Sequence, residues 1–308
     1  LHMMGAGFPD LPFLYPPHAA LFLLPLAVLP PLAAMVAWLC LTFLVTLAGL
    51  WRSLTPRVGL AFALLISPAS VVNIACGQNG YLSAGVLGGG LLLLKFLSVL
   101  DGILRDLLSY KPQLGLVLPF ALLAGRHWLA FAAAVATTLI LLLLSWLVLG
   151  SAVWSLYLGE TMHGQIDLLQ NFTFASFAVY MAGLLAGLPS WLAALLQGGA
   201  SLLAIGGSIW ACRHQLPLPL QAAIVMTGTF LAAPYILPYD MMIVAAAILL
   251  VFSAGPLRLT EIVIFALAWV LPAFAFPPDM PVGPIVILLL FLTLLNRARV
   301  QNHNGGAK

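Results

Sequence analysis

Four short polar clusters interrupt an otherwise apolar chain: Tyr15-Pro16-Pro17-His18, Gly77-Gln78-Asn79-Gly80, Tyr110-Lys111-Pro112-Gln113, and Pro234-Tyr235 followed by Tyr239-Asp240. The adjacent carboxamides of Gln78 and Asn79 can donate to sugar hydroxyls or phosphate oxygens; between two glycines they equally suit a plain turn at a helix end. Lys111 can snorkel to the lipid headgroups. With Pro112 opening a helix, it can instead set a cation beside free backbone amides, which together make an anion site. Tyr15-Pro16-Pro17 reads as a rigid extended entry to a helix, with His18 near its first turn. Asp240 can be an N-cap carboxylate, or with Asp10 it can be a proton acceptor.

The remaining polar residues suggest packing or pairing. Asp101 and Arg105 stand four apart, as an ordinary helical ion pair does. Gly85 with Gly89, and Gly183 with Gly187, have the spacing of close helix contacts. Cys40, Cys76 and Cys212 lie far apart in apolar segments, which reads as packing and not as a metal or disulfide framework. There is no HExxH, Walker loop, GxSxG or DxD pair, so no metal or cofactor is expected, and soluble nucleotide-sugar chemistry has no visible home.

The elements that must position these clusters follow from composition. Of 308 residues, 63% are hydrophobic and 6% charged, against roughly a quarter charged in a soluble domain. No water-facing surface can be built from that. The run 128–149 contains no charge and is long enough to cross the roughly 30 Å hydrocarbon core as a helix. Period-2 alternation is absent, so the expected class is an all-α polytopic transmembrane helix bundle. Crossings are placed at 31–50, 58–75, 80–94, 96–108, 112–124, 128–149, 190–211, 218–233, 239–254, 261–276 and 283–295, within a total of about 9 to 12 membrane segments. Residues 173–187 read as a half-helix or an interfacial helix, and 302–308 as disordered.

With these crossings alternating, Arg52, Arg57, Lys95, Arg126, Arg213, Arg258, Arg297 and Arg299 share one side, which the positive-inside rule assigns to the cytoplasm. The net charge of +3 is spread singly over loops, unlike the basic stripe of a nucleic-acid binder. The opposite face receives all four polar clusters, the loop 151–172, and Asp10, Glu160, Asp167 and Asp279, with Lys111 as its lone base. A polar cavity open to the outside would explain that gathering. The expected division is an outward segment 1–18, a bundle 19–296 and a cytoplasmic tail 297–308.

YPPHAALFLLPLAVLP at 15–30, GQNGYLSAGVLGGGLLLL at 77–94 and SYKPQLGLVLPFALLAGRHW at 109–128 together resemble glycosyltransferase family 87, membrane enzymes of the GT-C type; PYILPYDMMIVAAAILL at 234–250 continues the likeness. The resemblance implies an inverting hexosyltransferase, with mannose the expected sugar. Its donor would be a polyprenyl-phosphate sugar and its acceptor a lipid or glycan on the outer face of the cytoplasmic membrane. Lys111 would stabilise the departing phosphate, and Gln78, Asn79, Gln113, Tyr110, Tyr15, His18 and Tyr239 would hold phosphate or sugar.

The family pattern also puts a catalytic acid upstream of the YPP segment, where this sequence offers Asp10, and an aspartate pair near the last motif, where Pro238 precedes Tyr239-Asp240. On that pattern the chain is expected to lack the family's first helix and outer loop and to have little transferase activity of its own. Two other readings stay open: a transporter or flippase of lipid-linked sugars, and a non-catalytic membrane subunit.

Overall fold

The computed structural model describes residues 15–93, 107–161, 177–214, 216–274 and 281–305. Asp10, Lys95, Asp101, Arg105, Asp167 and Asp279 lie outside the described residues, as does most of the expected crossing at 96–108.

Helices and turns make up the regular structure, with no strand among the described residues. The α-helices are α1 (Ala19–Leu23), α2 (Pro31–Leu50), α3 (Arg57–Leu65), α4 (Pro68–Ala75), α5 (Gly80–Leu93), α6 (Leu118–Ala124), α7 (Trp128–Leu149), α8 (Ser151–Leu156), α9 (Val179–Leu185), α10 (Ser190–Arg213), α11 (Leu218–Ala232), α12 (Met242–Ser253), α13 (Leu259–Val270) and α14 (Gly283–Gly305). Among the described residues, α2, α7, α10 and α14 are long and apolar enough to cross a membrane, and α3 with α4 form a fifth, bent candidate.

Burial divides these helices into two sets. Only 6% of the best window of α7 and 11% of that of α2 is buried. Their apolar flanks, including Leu32, Val36, Leu41, Leu139, Leu143 and Leu147, are at least half exposed. An apolar surface of that extent needs lipid around it. The shorter α5, α11 and α12 are buried nearly all round and form the centre, α11 packing on α10, α12 and α14 while α5 packs on α2 and α12. A helix of 12 residues such as α12 spans about 18 Å, well short of the hydrocarbon core. Enclosure by other helices permits this, because the polar groups at its ends meet protein and not lipid. The chain is therefore an all-α polytopic membrane bundle.

The α2–α5 contact depends on missing side chains. A Cβ on Gly85 would stand 2.6 Å from the Thr46 backbone, and one on Gly89 2.7 Å from the Gly49 Cα. The spacing of Gly85 and Gly89 thus serves close packing, as expected. The Thr46 hydroxyl completes the seam by donating to the Tyr81 carbonyl at 2.6 Å. Gly183 similarly packs against Ala193, but Gly187 has open space around it and φ +79°, a left-handed turn after α9 and not a contact.

Several expected boundaries change. The crossing at 58–75 is broken by 51° between α3 and α4. Pro68 lacks an N–H, and Ser67 turns extended to cap the Ser70 amide at 3.2 Å, so a new helix starts there. The segment 112–124 is a 3₁₀ turn, Pro112–Gly115, followed by the seven residues of α6. Of 173–187, only α9 is helical among the described residues. The loop expected at 151–172 begins with α8 and a π-turn, Tyr157–Thr161. The last helix runs on through Arg297 and Arg299 to Gly305, so residues 302–305 are helical, not disordered. Cys40 and Cys76 are exposed and Cys212 half-buried; the first two are not core packing residues.

Candidate active site

The four polar clusters meet at one end of the bundle. The turn Pro238–Met241 opens α12 and presents Asp240 at its third position, not at the N-cap as expected; Asp240 Oδ2 accepts only a long 3.4 Å bond from the Leu237 amide. The turn packs on α4 and α5. It can do so because Gly80 has no side chain: a Cβ there would overlap the Tyr239 carbonyl and stand 2.7 Å from Asn73 Oδ1. That Asn73 oxygen accepts the Gly80 amide at 2.7 Å, pinning the start of α5. Gly77, at φ +60°, makes the preceding turn, so the glycines serve the turn while the carboxamides between them face the site.

Lys111 is neither snorkelled nor exposed. Its Nζ lies 2.5 Å from Asp240 Oδ1, and the two side chains are 2% and 5% exposed. The ammonium also sits over three rings, Tyr239 at 4.7 Å, Tyr110 at 5.8 Å and Tyr15 at 5.9 Å. Ring faces attract a desolvated cation by about 2 kcal/mol or more. Pro112 does open a turn after Lys111, but that 3₁₀ turn has four residues and no aligned dipole of any size. The charge that could draw an anion here is the side chain of Lys111.

Around this pair, the Tyr15 hydroxyl donates to Gln78 Oε1 at 3.2 Å, and the Tyr15 and Tyr110 rings meet edge-on at 5.9 Å. Tyr110 is tied to Ser83 at 2.7 Å, hydroxyl to hydroxyl. Burial raises the Tyr110 phenol well above its ordinary pKa, against the opposing effect of Ser83, so it stays protonated. Asn79 Oδ1 and Gln113 Oε1 are buried with no hydrogen-bond partner among the described residues. His18 is buried just before α1, where burial lowers its imidazole pKa despite the nearby Ser109 backbone. Asn73, Ser83 and Ser109 had no signal in the sequence beyond being polar in apolar surroundings.

A cavity of about 530 Å³ opens beside these residues. Tyr15, Gln78, Asn79 and Tyr110 line its polar end, and Phe22, Leu26, Met35 and Trp38 from α1, its following turn and α2 line the rest. The opposite end of α12 carries a second buried pair, Arg297 to Glu261 at 2.7 Å, with Arg297 also donating to the Pro256 carbonyl at 3.1 Å. The expected tail residue Arg297 is thus an anchor between α14 and α13. Arg299 lies over Trp210 at 5.9 Å, near the Arg213 end of α10. Arg213, Arg258, Arg297 and Arg299 therefore gather at the end of α12 away from Lys111.

The sequence model of glycosyltransferase family 87 matches residues 13–238. The chain belongs to glycosyltransferase family 87. No curated protein and no solved structure matches it. Family 87 membership makes the chain a membrane glycosyltransferase, and the matched span takes in Tyr15, His18, Gln78, Asn79, Tyr110, Lys111 and Gln113. Tyr239 and Asp240 fall just beyond it and join the site through the ion pair and the Lys111–Tyr239 contact. Bundle and family thus agree on a membrane glycosyltransferase.

Proposed function

We propose that this family 87 protein moves a hexose, mannose by preference, from a polyprenyl-phosphate donor to a lipid or glycan acceptor at the outer face of the cytoplasmic membrane, with inversion. The observation that carries this reading is the buried Lys111–Asp240 pair beside a cavity that is polar at one end and apolar along the rest. That shape suits an amphiphile whose charged head stops at Lys111 and whose hydrocarbon follows α1 and α2.

In the proposed step, the acceptor hydroxyl oxygen bonds to the anomeric carbon as the bond from that carbon to the phosphate oxygen breaks, the electron pair leaving with the phosphate. Lys111 stabilises the charge on the leaving group, as fixed cations do in water-poor sites. A phosphate at Lys111 competes with Asp240 for the ammonium. Asp240 Oδ1, once released, is the carboxylate in the site that can take the hydroxyl proton. Gln78, Asn79, Gln113, Tyr15, Tyr110 and Tyr239 supply donors and acceptors to the sugar and phosphate. The division into an outward segment 1–18, the bundle 19–296 and a cytoplasmic tail 297–308 is part of the same proposal.

The test uses membranes carrying the protein, given labelled polyprenyl-phosphate hexoses or nucleotide sugars together with candidate acceptors. Transferred label should come from the lipid-linked donor. Transfer from a nucleotide sugar with lipid-phosphate synthesis blocked would overturn the reading.

A further inference from the structure

His18 is 2% exposed, and neither ring nitrogen has a hydrogen-bond partner among the described residues. The Ser109 backbone is near the imidazole, though without the geometry of a formed bond. Two other buried polar atoms beside His18 also lack partners there: the Ser109 hydroxyl and Trp154 Nε1. Trp154, from α8, stacks on the His18 ring at 6.4 Å and 17°, and Tyr157 meets Trp154 edge-on.

Leaving a buried polar atom unpaired costs its full desolvation. Buried groups of this kind are nearly always satisfied in native proteins. An imidazole held neutral by burial offers one donor and one acceptor, indole one donor, and a hydroxyl both. The unmet capacity is therefore mixed and uncharged. It suits alcohol groups and not an anion.

The position of this cluster follows from the chain. Tyr15 packs on Tyr110, and His18, one turn after Tyr15, lies by Ser109, the residue before Tyr110. The two stretches run side by side, so the cluster is continuous with the Lys111 cation while lying on the other side of Tyr110 from it in the sequence.

We propose that His18, Ser109 and Trp154 form a hydroxyl-binding subsite for the hexose of the lipid-linked donor, separate from the phosphate position at Lys111. The stacked Trp154 and His18 rings form its wall, and their nitrogens with the Ser109 hydroxyl set the sugar's orientation. This inference rests on the donor class named under Proposed function. It adds that recognition of the sugar and recognition of the phosphate are made by different residues and can be lost separately.

The experiment compares binding of polyprenyl-phosphate mannose and sugar-free polyprenyl phosphate to the protein in lipid nanodiscs. The wild type should prefer the sugar-bearing lipid about tenfold, the worth of one or two hydrogen bonds. His18→Ala should reduce that preference about threefold or more and leave binding of the sugar-free lipid unchanged. Trp154→Phe, which keeps a stacking ring and removes only the N–H, should reduce the preference about threefold or more, and it decides alone where His18→Ala does not fold. Lys111→Met should weaken both lipids together. A wild type with no preference, or a Trp154→Phe variant that keeps all of it, overturns the subsite. Failure of both lipids to bind the wild type overturns the donor reading, and the subsite with it.

Discussion

Lys111 and Asp240, 129 residues apart in sequence, form a 2.5 Å ion pair with both side chains almost wholly buried. Desolvation costs each ion several kcal/mol, and such pairs are often replaceable by apolar residues with no loss of stability. Fold stability alone therefore does not account for the pair. Its place, at the end of α12 where four polar clusters meet and under three tyrosine rings, points to use of the charge.

Removing one partner should separate the two roles. Asp240→Asn leaves the ammonium uncompensated and is expected to destabilise the protein by about 3 to 5 kcal/mol. The double variant Lys111→Met/Asp240→Leu should recover most of that in thermal unfolding in detergent. It should not recover transfer, which in an active form of the protein Lys111→Met alone should lower at least tenfold, about 1.4 kcal/mol of transition-state stabilisation. Wild-type turnover in the double variant would make the pair purely structural.

Gly80→Ala should be severe for a different reason. The added methyl overlaps the Tyr239 carbonyl, a backbone group, and crowds Asn73 Oδ1, which is held by the Gly80 amide. A loss of about 1 to 3 kcal/mol is expected from overpacking, with the Asp240 turn pushed off α5. A Gly80→Ala protein with unchanged melting and unchanged lipid binding would show that the turn can move freely.

At the other end of α12, Arg297→Met strips Glu261 of its guanidinium partner and the Pro256 carbonyl of a donor. Stability should fall by about 3 to 5 kcal/mol. Lipid binding per folded molecule should stay at the wild-type level, because the α12 helix separates this pair from Lys111. Selective loss of binding in a normally stable Arg297→Met protein would contradict that separation.

How far the sequence revealed the site depends on what each residue must satisfy. Polar groups in an apolar chain have few places to go, so Tyr15, Gln78, Lys111 and Asp240 could be assigned to one face before any coordinates, and Lys111 stood out as a base on the wrong side. Its partner was not legible, because nothing local links positions 111 and 240. Nor is Asp240 the N-cap that its place at a helix start suggests: its carboxylate is held by Lys111 and only loosely by the Leu237 amide. Helix lengths were misjudged where the bundle itself is the solvent. The short α5, α11 and α12 are apolar on every side, so hydropathy could not tell burial in protein from burial in lipid. The break at Ser67-Pro68 lies inside an apolar run that hydropathy reads as continuous, although a proline cannot donate to the preceding turn. Trp154 is one aromatic among several in the 151–172 stretch, and only the fold stacks it on His18.

Orientation is tested separately. In a protein with Cys40, Cys76 and Cys212 replaced by alanine, a cysteine at the exposed Ser155 should react with an impermeant maleimide on intact cells. One at the exposed Asn302 should react only after lysis. The reverse pattern would put the Lys111 end of the bundle inside the cell.

The central claim is that Lys111 receives the phosphate of a lipid-linked sugar, and competition between sugar-free polyprenyl phosphate and the phosphate-free polyprenol for the protein in nanodiscs tests it most directly. The account predicts that the phosphate-bearing lipid binds at least about tenfold more tightly, a difference of roughly 1.4 kcal/mol, and that Lys111→Met erases the difference while polyprenol binding stays the same. Equal binding of the two lipids by the wild type, or an undiminished preference in Lys111→Met, would contradict it.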